Sequence, residues 1–198
     1  MLELSRYDPK DLTPEYVAAF RRLDLMDADT VPRVAMYWLE NGANSEAIAI
    51  LAGETNPTLR EHGKLLDLAL LDMGAPANLS REEAYWKLTQ FLLTRIAAPD
   101  RDPFPEAEWL ITKVHCGAGG LALFTRTDLP PLTERNAWAG EELGLERVVG
   151  AVFALDDFDH GSDPPRVEAI MCAIKEEAAR ALSAFYTIKP AHFQASPA

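Results

Sequence analysis

Between Thr30 and Ala97 the chain is punctuated by four helix starts and three helix stops. Thr30, Ser45, Asn56 and Ser80 are residues whose side-chain oxygen can cap the first free amides of a helix. Gly42, Gly53 and Gly74 follow at the positions where such helices end, because glycine enters the left-handed conformation that closes the last turn. Signals this closely spaced leave little room for strands, so this stretch predicts consecutive short helices. A fifth start precedes them: Thr13-Pro14-Glu15 places a cap, a proline at the first helical position and an acid at the positive end of the dipole.

The apolar positions fit this division. Tyr16, Val17, Phe20 and Leu23 recur at helical spacing, and Val34, Tyr37, Trp38 and Leu39 build the side of the next helix. Ile48, Ile50 and Leu51 fill a short third helix. In the fourth, which Asn56-Pro57 caps, Leu59, Leu66, Leu70 and Met73 form a stripe that Leu65, Leu68 and Ala69 widen, a pattern expected of burial against more than one neighbour. Ser80-Arg-Glu-Glu83 is a capping box, and Glu83 and Lys87 stand four residues apart as a helical ion pair would. Leu88, Phe91, Leu92 and Ile96 face inward in this fifth helix.

The polar stretch Asp100–Pro105 ends the run and marks a boundary between a helical portion, residues 1–98, and a second portion, residues 99–198. The two are expected to share one core, and a single domain accommodates 198 residues. In the second portion Trp109–His115 and Leu121–Thr127 flank Cys116-Gly-Ala-Gly-Gly120, which suggests two strands around a glycine turn. A helix from Pro105 to His115, stopped by Gly117, fits the same residues. Thr133–Leu143 reads as a helix, and Val148–Leu155, short and partly β-branched, as a strand. Asp163-Pro164 opens a last helix whose stripe is Val167, Ile170, Ile174, Ala178, Ala181 and Phe185. The expected fold class is therefore mainly α, about five N-terminal helices with a smaller C-terminal α+β portion containing a few short strands. Leu39-Glu-Asn-Gly-Ala43 resembles Leu71-Asp-Met-Gly-Ala75, with the two glycines 32 residues apart. Two copies with unequal spacers do not make a solenoid, and local capping explains them.

Charge narrows the partners. The net charge is −12, and it is spread: residues 1–100 carry 10 Lys+Arg against 16 Asp+Glu, and residues 101–198 carry 9 against 15. Such a surface repels nucleic-acid phosphates and anionic membranes and attracts a basic protein. No run of about 18 apolar residues is present to span a membrane. The residues from Met1 to Lys10 lack the apolar region of a signal peptide, and Cys116 and Cys172 form no disulfide framework, so the expected compartment is the cytoplasm.

Chemistry-bearing motifs are few. Asp156-Asp157-Phe158-Asp159-His160 is the densest set of candidate metal ligands, and Asp156, Asp157, Asp159 and His160 could hold Mg²⁺, Mn²⁺ or Zn²⁺. Neighbouring residues rarely converge on one ion, and a solvated acidic turn explains the same residues. His115-Cys116 with the following glycines offers a thiol, a base and a row of backbone amides, yet matches neither the phosphate-loop nor the dinucleotide pattern. The histidines His62, His115, His160 and His192 lack the paired spacings of structural zinc sites. Ser45–Leu66 can be read as a helix-turn-helix, with Arg60 and Lys64 on the reading helix, but Glu61 and Asp67 lie there too.

Trp38 and Trp86 each follow a tyrosine, and adjacent helical residues cannot share one narrow stripe. One member of each pair is therefore a candidate exposed contact residue. Together these features point to a non-catalytic, acidic, protein-binding module of the inhibitor or immunity type, needing no cofactor and engaging a basic partner. The alternatives are a metal-dependent enzyme built on Asp156–His160 and a helix-turn-helix DNA-binding protein.

Overall fold

The computed structural model describes residues 4–54, 59–76, 78–115, 144–156 and 163–187. Eight α-helices are present among them: α1 (Pro14–Arg22), α2 (Thr30–Glu40), α3 (Glu46–Gly53), α4 (Leu59–Asp72), α5 (Arg81–Ile96), α6 (Phe104–Trp109), α7 (Leu145–Asp156) and α8 (Pro164–Thr187). The chain divides into two compact units, Met1–Leu88 and Thr89–Ala198, with the division inside α5.

In the first unit α2, α3 and α4 pack in sequence order, and α1 lies against α4. Ser45 and Ser80 cap as their residues predict, whereas Thr13 precedes α1 without a side-chain cap bond and Thr30 is the first residue of α2 rather than its cap. Ser45 Oγ accepts from the Ile48 amide at 3.5 Å. Ser80 and Glu83 satisfy each other's amides at 2.8 and 3.1 Å, so the capping box forms in full. For α2 the cap comes from further back: Asp27 Oδ1 accepts from the Thr30 amide at 2.7 Å. Asn56-Pro57, expected to cap α4, lies outside the described residues. Lys87 pairs with Glu15 of α1 rather than along its own helix with Glu83.

Three helices of this unit end in one way. At α2, Gly42 takes φ +92° and the Ala43 amide reaches back to Trp38 O at 2.9 Å. At α4, Gly74 takes φ +73° and Ala75 reaches Leu70 O at 2.9 Å. The matching Leu-x-x-Gly-Ala segments thus encode one Schellman cap twice. At α1 the same closure, Leu25 amide to Phe20 O at 2.9 Å, is made with Asp24 at φ +57°.

The core of the unit comes from the inward faces of these helices. Val17, Ala18, Ala19 and Phe20 of α1, Val31, Val34, Ala35 and Trp38 of α2, and Ala47, Ile48 and Leu51 of α3 are buried. Before α1, two short 3₁₀ turns, Leu4–Arg6 and Pro9–Asp11, bury Leu4, Tyr7 and Leu12. Arg33 of α2 pins this segment by donating to Ser5 O at 2.5 Å and Tyr7 O at 3.0 Å. In α4 the buried side is His62, Gly63, Leu66, Ala69 and Leu70. Leu68 is exposed, so the stripe is narrower than its sequence suggests.

The second unit corrects the sequence reading. No strand is found among the described residues, and the C-terminal α+β portion with short strands is not present there. Trp109–His115, for which a strand and a helix from Pro105 were both expected, begins on the last residue of α6 and continues as a π-helical turn, Leu110–His115, so the helical alternative holds. Across α6 and this turn Glu106, Ala107, Trp109, Leu110, Ile111 and Val114 are buried, most of them spaced by three and four as on one helix face. Val148–Leu155, also expected as a strand, is part of α7, where Leu145, Val148, Val149 and Val152 are buried at the same spacing. A valine costs a helix about 0.5 kcal/mol relative to alanine, whereas burying its side chain returns about 1.5–3 kcal/mol. Tertiary burial therefore outweighs the β-branched preference. Leu121–Thr127, Cys116–Gly120 and the helix expected over Thr133–Leu143 lie outside the described residues.

α7 packs on α8 and on α6. Asp163 Oδ1 accepts from the Arg166 amide at 3.3 Å, opening α8 where expected, and Ile174, Ala178, Ala181 and Phe185 are buried along it. Arg95 of α5 and Glu106 of α6 form an ion pair, Nε to Oε1 at 3.1 Å, with both side chains more than nine-tenths buried. Arg95 also stacks over the Phe91 ring, 5.5 Å from its centroid.

Candidate functional site

Helix α4 presents two different faces. At 100° per residue, Lys64, Asp67, Leu68, Leu71 and Asp72 fall within one arc opposite the buried side, and all five are exposed. Leu68 is 53% exposed and Leu71 57%. Two leucines one turn apart, bordered by two carboxylates, make an apolar strip with acidic edges.

On one side of α4, α1 contributes a cleft of about 360 Å³. Arg21, Arg22, Asp24 and Asp67 supply its polar walls, and Leu70 and Leu79 apolar surface. The charges are largely used internally. Arg21 Nε stands 3.4 Å from Asp67 Oδ1, and Arg22 Nε donates to Leu79 O at 2.8 Å. The Arg21 guanidinium lies over Gly63, where a Cβ would come within 2.6 Å of Nη2. Gly63 therefore sits inside a helix because an arginine crosses there, despite a cost of about 1 kcal/mol relative to alanine. Behind it, a small cavity of about 30 Å³ is bordered by Arg21, Asp24 and the buried His62. His62 Nε2 stands 3.5 Å from Glu54 Oε2, and its Nδ1 has no protein hydrogen-bond partner.

On the other side, where α2 ends and α3 begins, is a pocket of about 300 Å³. Trp38, Asn41, Asn44, Ser45, Ile48 and Asp72 line it, and none of its lining residues is basic. Ser45 Oγ donates to Asp72 Oδ2 at 2.5 Å, and Asn41 Nδ2 donates to Tyr37 O at 2.8 Å.

The residues singled out in the sequence fall as follows. Trp38 and Trp86 are both buried, 4% and 7% exposed, while Tyr37 and Tyr85 are half-buried. Trp38 reaches a surface only as a wall of the pocket beside Asp72. Asp156 is the last residue of α7; Asp157, Asp159 and His160 lie outside the described residues. Among the described residues no group of three or more His, Cys, Asp or Glu side chains is placed to hold a metal ion. Cys172 is a free, exposed thiol on α8. α3 and α4 pack on each other, and among the α4 residues whose side chains are described the exposed arc sets two aspartates and two leucines against one lysine. That arc would repel phosphates rather than neutralise them. No helix among the described residues is long and apolar enough to cross a membrane.

Arg21, Arg22 and Asp72 escaped the sequence reading. An isolated glycine inside a helical pattern, Gly63, was the available sign that a side chain from elsewhere crosses α4. Asp72 gave none, since its partner Ser45 is 27 residues away and only the packing of α3 on α4 joins them. The chain matches no protein-family model, and neither a curated protein nor a solved structure is significantly similar to it.

Proposed function

We propose that the chain is a non-catalytic protein-binding module, of the inhibitor or immunity type, which engages a basic protein through the exposed face of α4. The observation that carries this reading is the pair Leu68 and Leu71, each more than half exposed and bordered by Asp67 and Asp72. A leucine left this exposed forgoes about 1 kcal/mol of burial. A partner that covers both recovers it, and the aspartates with a net charge of −12 select a basic one.

The test is affinity capture from the native host's lysate by the whole chain, with Leu68→Ser and Leu71→Ser as comparisons. One basic protein is expected, held by the unsubstituted chain and weakened about tenfold by either serine, the loss expected when about 1.5 kcal/mol of leucine burial is removed. Capture that ignores both substitutions would remove α4 as the binding face. Because both leucines are exposed, the variants should melt within about 0.5 kcal/mol of the original, which separates lost binding from lost folding.

A further inference from the structure

The pocket beside Asp72 has a chemistry of its own. Two helix ends meet at it. The C-terminus of α2 brings about half a negative charge and the N-terminus of α3 about half a positive one, so the two nearly cancel. What remains is the full charge of Asp72. Its partner among the described residues is the Ser45 hydroxyl, a neutral donor, and no ion pair to it exists among them. Asn41 commits its amide nitrogen to Tyr37 O, which leaves the amide oxygen to accept. Trp38, buried but for 4% of its surface, forms one wall of the pocket. The full charge of the pocket is negative, and no basic residue among the described ones supplies a positive charge there.

The geometry points to this pocket as an anchor for one lysine or arginine side chain of the basic protein that α4 engages. The inference rests on the binding reading above and adds where the cation goes. Asp72 lies four residues from Leu68 on the same exposed arc, so a partner lying on the leucines passes the pocket mouth. A volume of about 300 Å³ is at the small end for ligand sites, which suits one side chain better than an extended ligand. A divalent ion is a poor fit, because it needs several oxygen ligands and Asp72 is the one carboxylate among the described residues that line the pocket.

The test is a titration of the ¹⁵N-labelled full chain with Nα-acetyl-lysine methylamide and Nα-acetyl-arginine methylamide. The readout is the Trp38 indole N–H and the Asn41 and Asn44 side-chain amides. At least one cationic probe should move these resonances at millimolar concentration, while the neutral Nα-acetyl-glutamine methylamide should not. Asp72→Asn should weaken the response about tenfold or more, the loss expected when a charge-assisted contact becomes neutral. Asn44→Lys, which places the chain's own cation at the mouth, should block it while leaving Asp72 intact. Resonances distant from the pocket report whether each variant is folded. The inference fails if neither cation moves the pocket, if the neutral probe moves it equally, or if both variants bind as before. It also fails if putrescine binds more than about tenfold tighter than the capped amino acids, for the site would then belong to a free diamine. A failed titration alongside partner binding that Leu71→Ser weakens would overturn the pocket alone. Partner binding indifferent to Leu71→Ser would overturn the α4 reading, whatever the titration gives.

Discussion

Asp24 holds at the end of α1 the conformation that Gly42 and Gly74 hold at the ends of α2 and α4. The hydrogen bonds that close the three helices are alike; the residue differs. A side chain in the left-handed region costs about 1 kcal/mol relative to glycine. Asp24→Gly should therefore stabilise the protein by about that amount, read from the urea midpoint at constant slope. A loss of stability would mean that the Asp24 carboxylate, which lies in the cleft with Arg21 and Arg22, contributes more than its backbone costs. This residue was not legible as a cap, because aspartate in a polar stretch suits a turn, a cap or plain solvent exposure. Gly42 and Gly74 were legible because few other roles suit a glycine just past an apolar stripe. Trp38 shows the limit of residue-level reading: its type suggested a contact residue, but the wall it forms depends on Asn44 and Asp72 beside it.

Among the elements, α1 to α5 follow their signals closely, and the two expected strands that lie among the described residues do not. The signals that succeeded are local: a cap bonds to an amide two or three residues on, whatever the rest of the chain does. The strand expectations relied on β-branched residues and on glycines nearby, both weak against burial. The helical spacing of Leu145, Val148, Val149 and Val152 was present in the sequence all along, but only a partner helix gives that spacing its energy. The junction of α5 and α6 carries the strongest element-level prediction. Breaking the buried pair by Glu106→Gln or Arg95→Met should cost about 3–5 kcal/mol, because the remaining group is left without its partner. Replacing both with Met and Leu should cost far less than the sum. A double-mutant cycle by urea denaturation measures the difference, and strictly additive losses would show that the two side chains act independently.

For the whole molecule, charge is the property read most directly, since −12 follows from counting residues. It predicts how any complex should respond to salt. The screening length is about 10 Å at 0.1 M and about 3 Å at 1 M. Partner affinity should accordingly fall at least about tenfold across that range, mainly through slower association. Binding that holds constant would leave the leucines of α4 as the attraction and remove the electrostatic part of the reading. The sequence by itself determined the helices of the first unit, the Ser45 and Ser80 caps, the glycine ends of α2 and α4, and the sign of the net charge, because each arises from neighbouring residues or from composition. Only the tertiary structure decided that Trp109–His115 and Val148–Leu155 are helical, that Leu68 and Leu71 face outward, and that Asp72 stands beside Trp38. Those outcomes depend on which faces meet across tens of residues, and packing settles that through burial energies larger than any local preference.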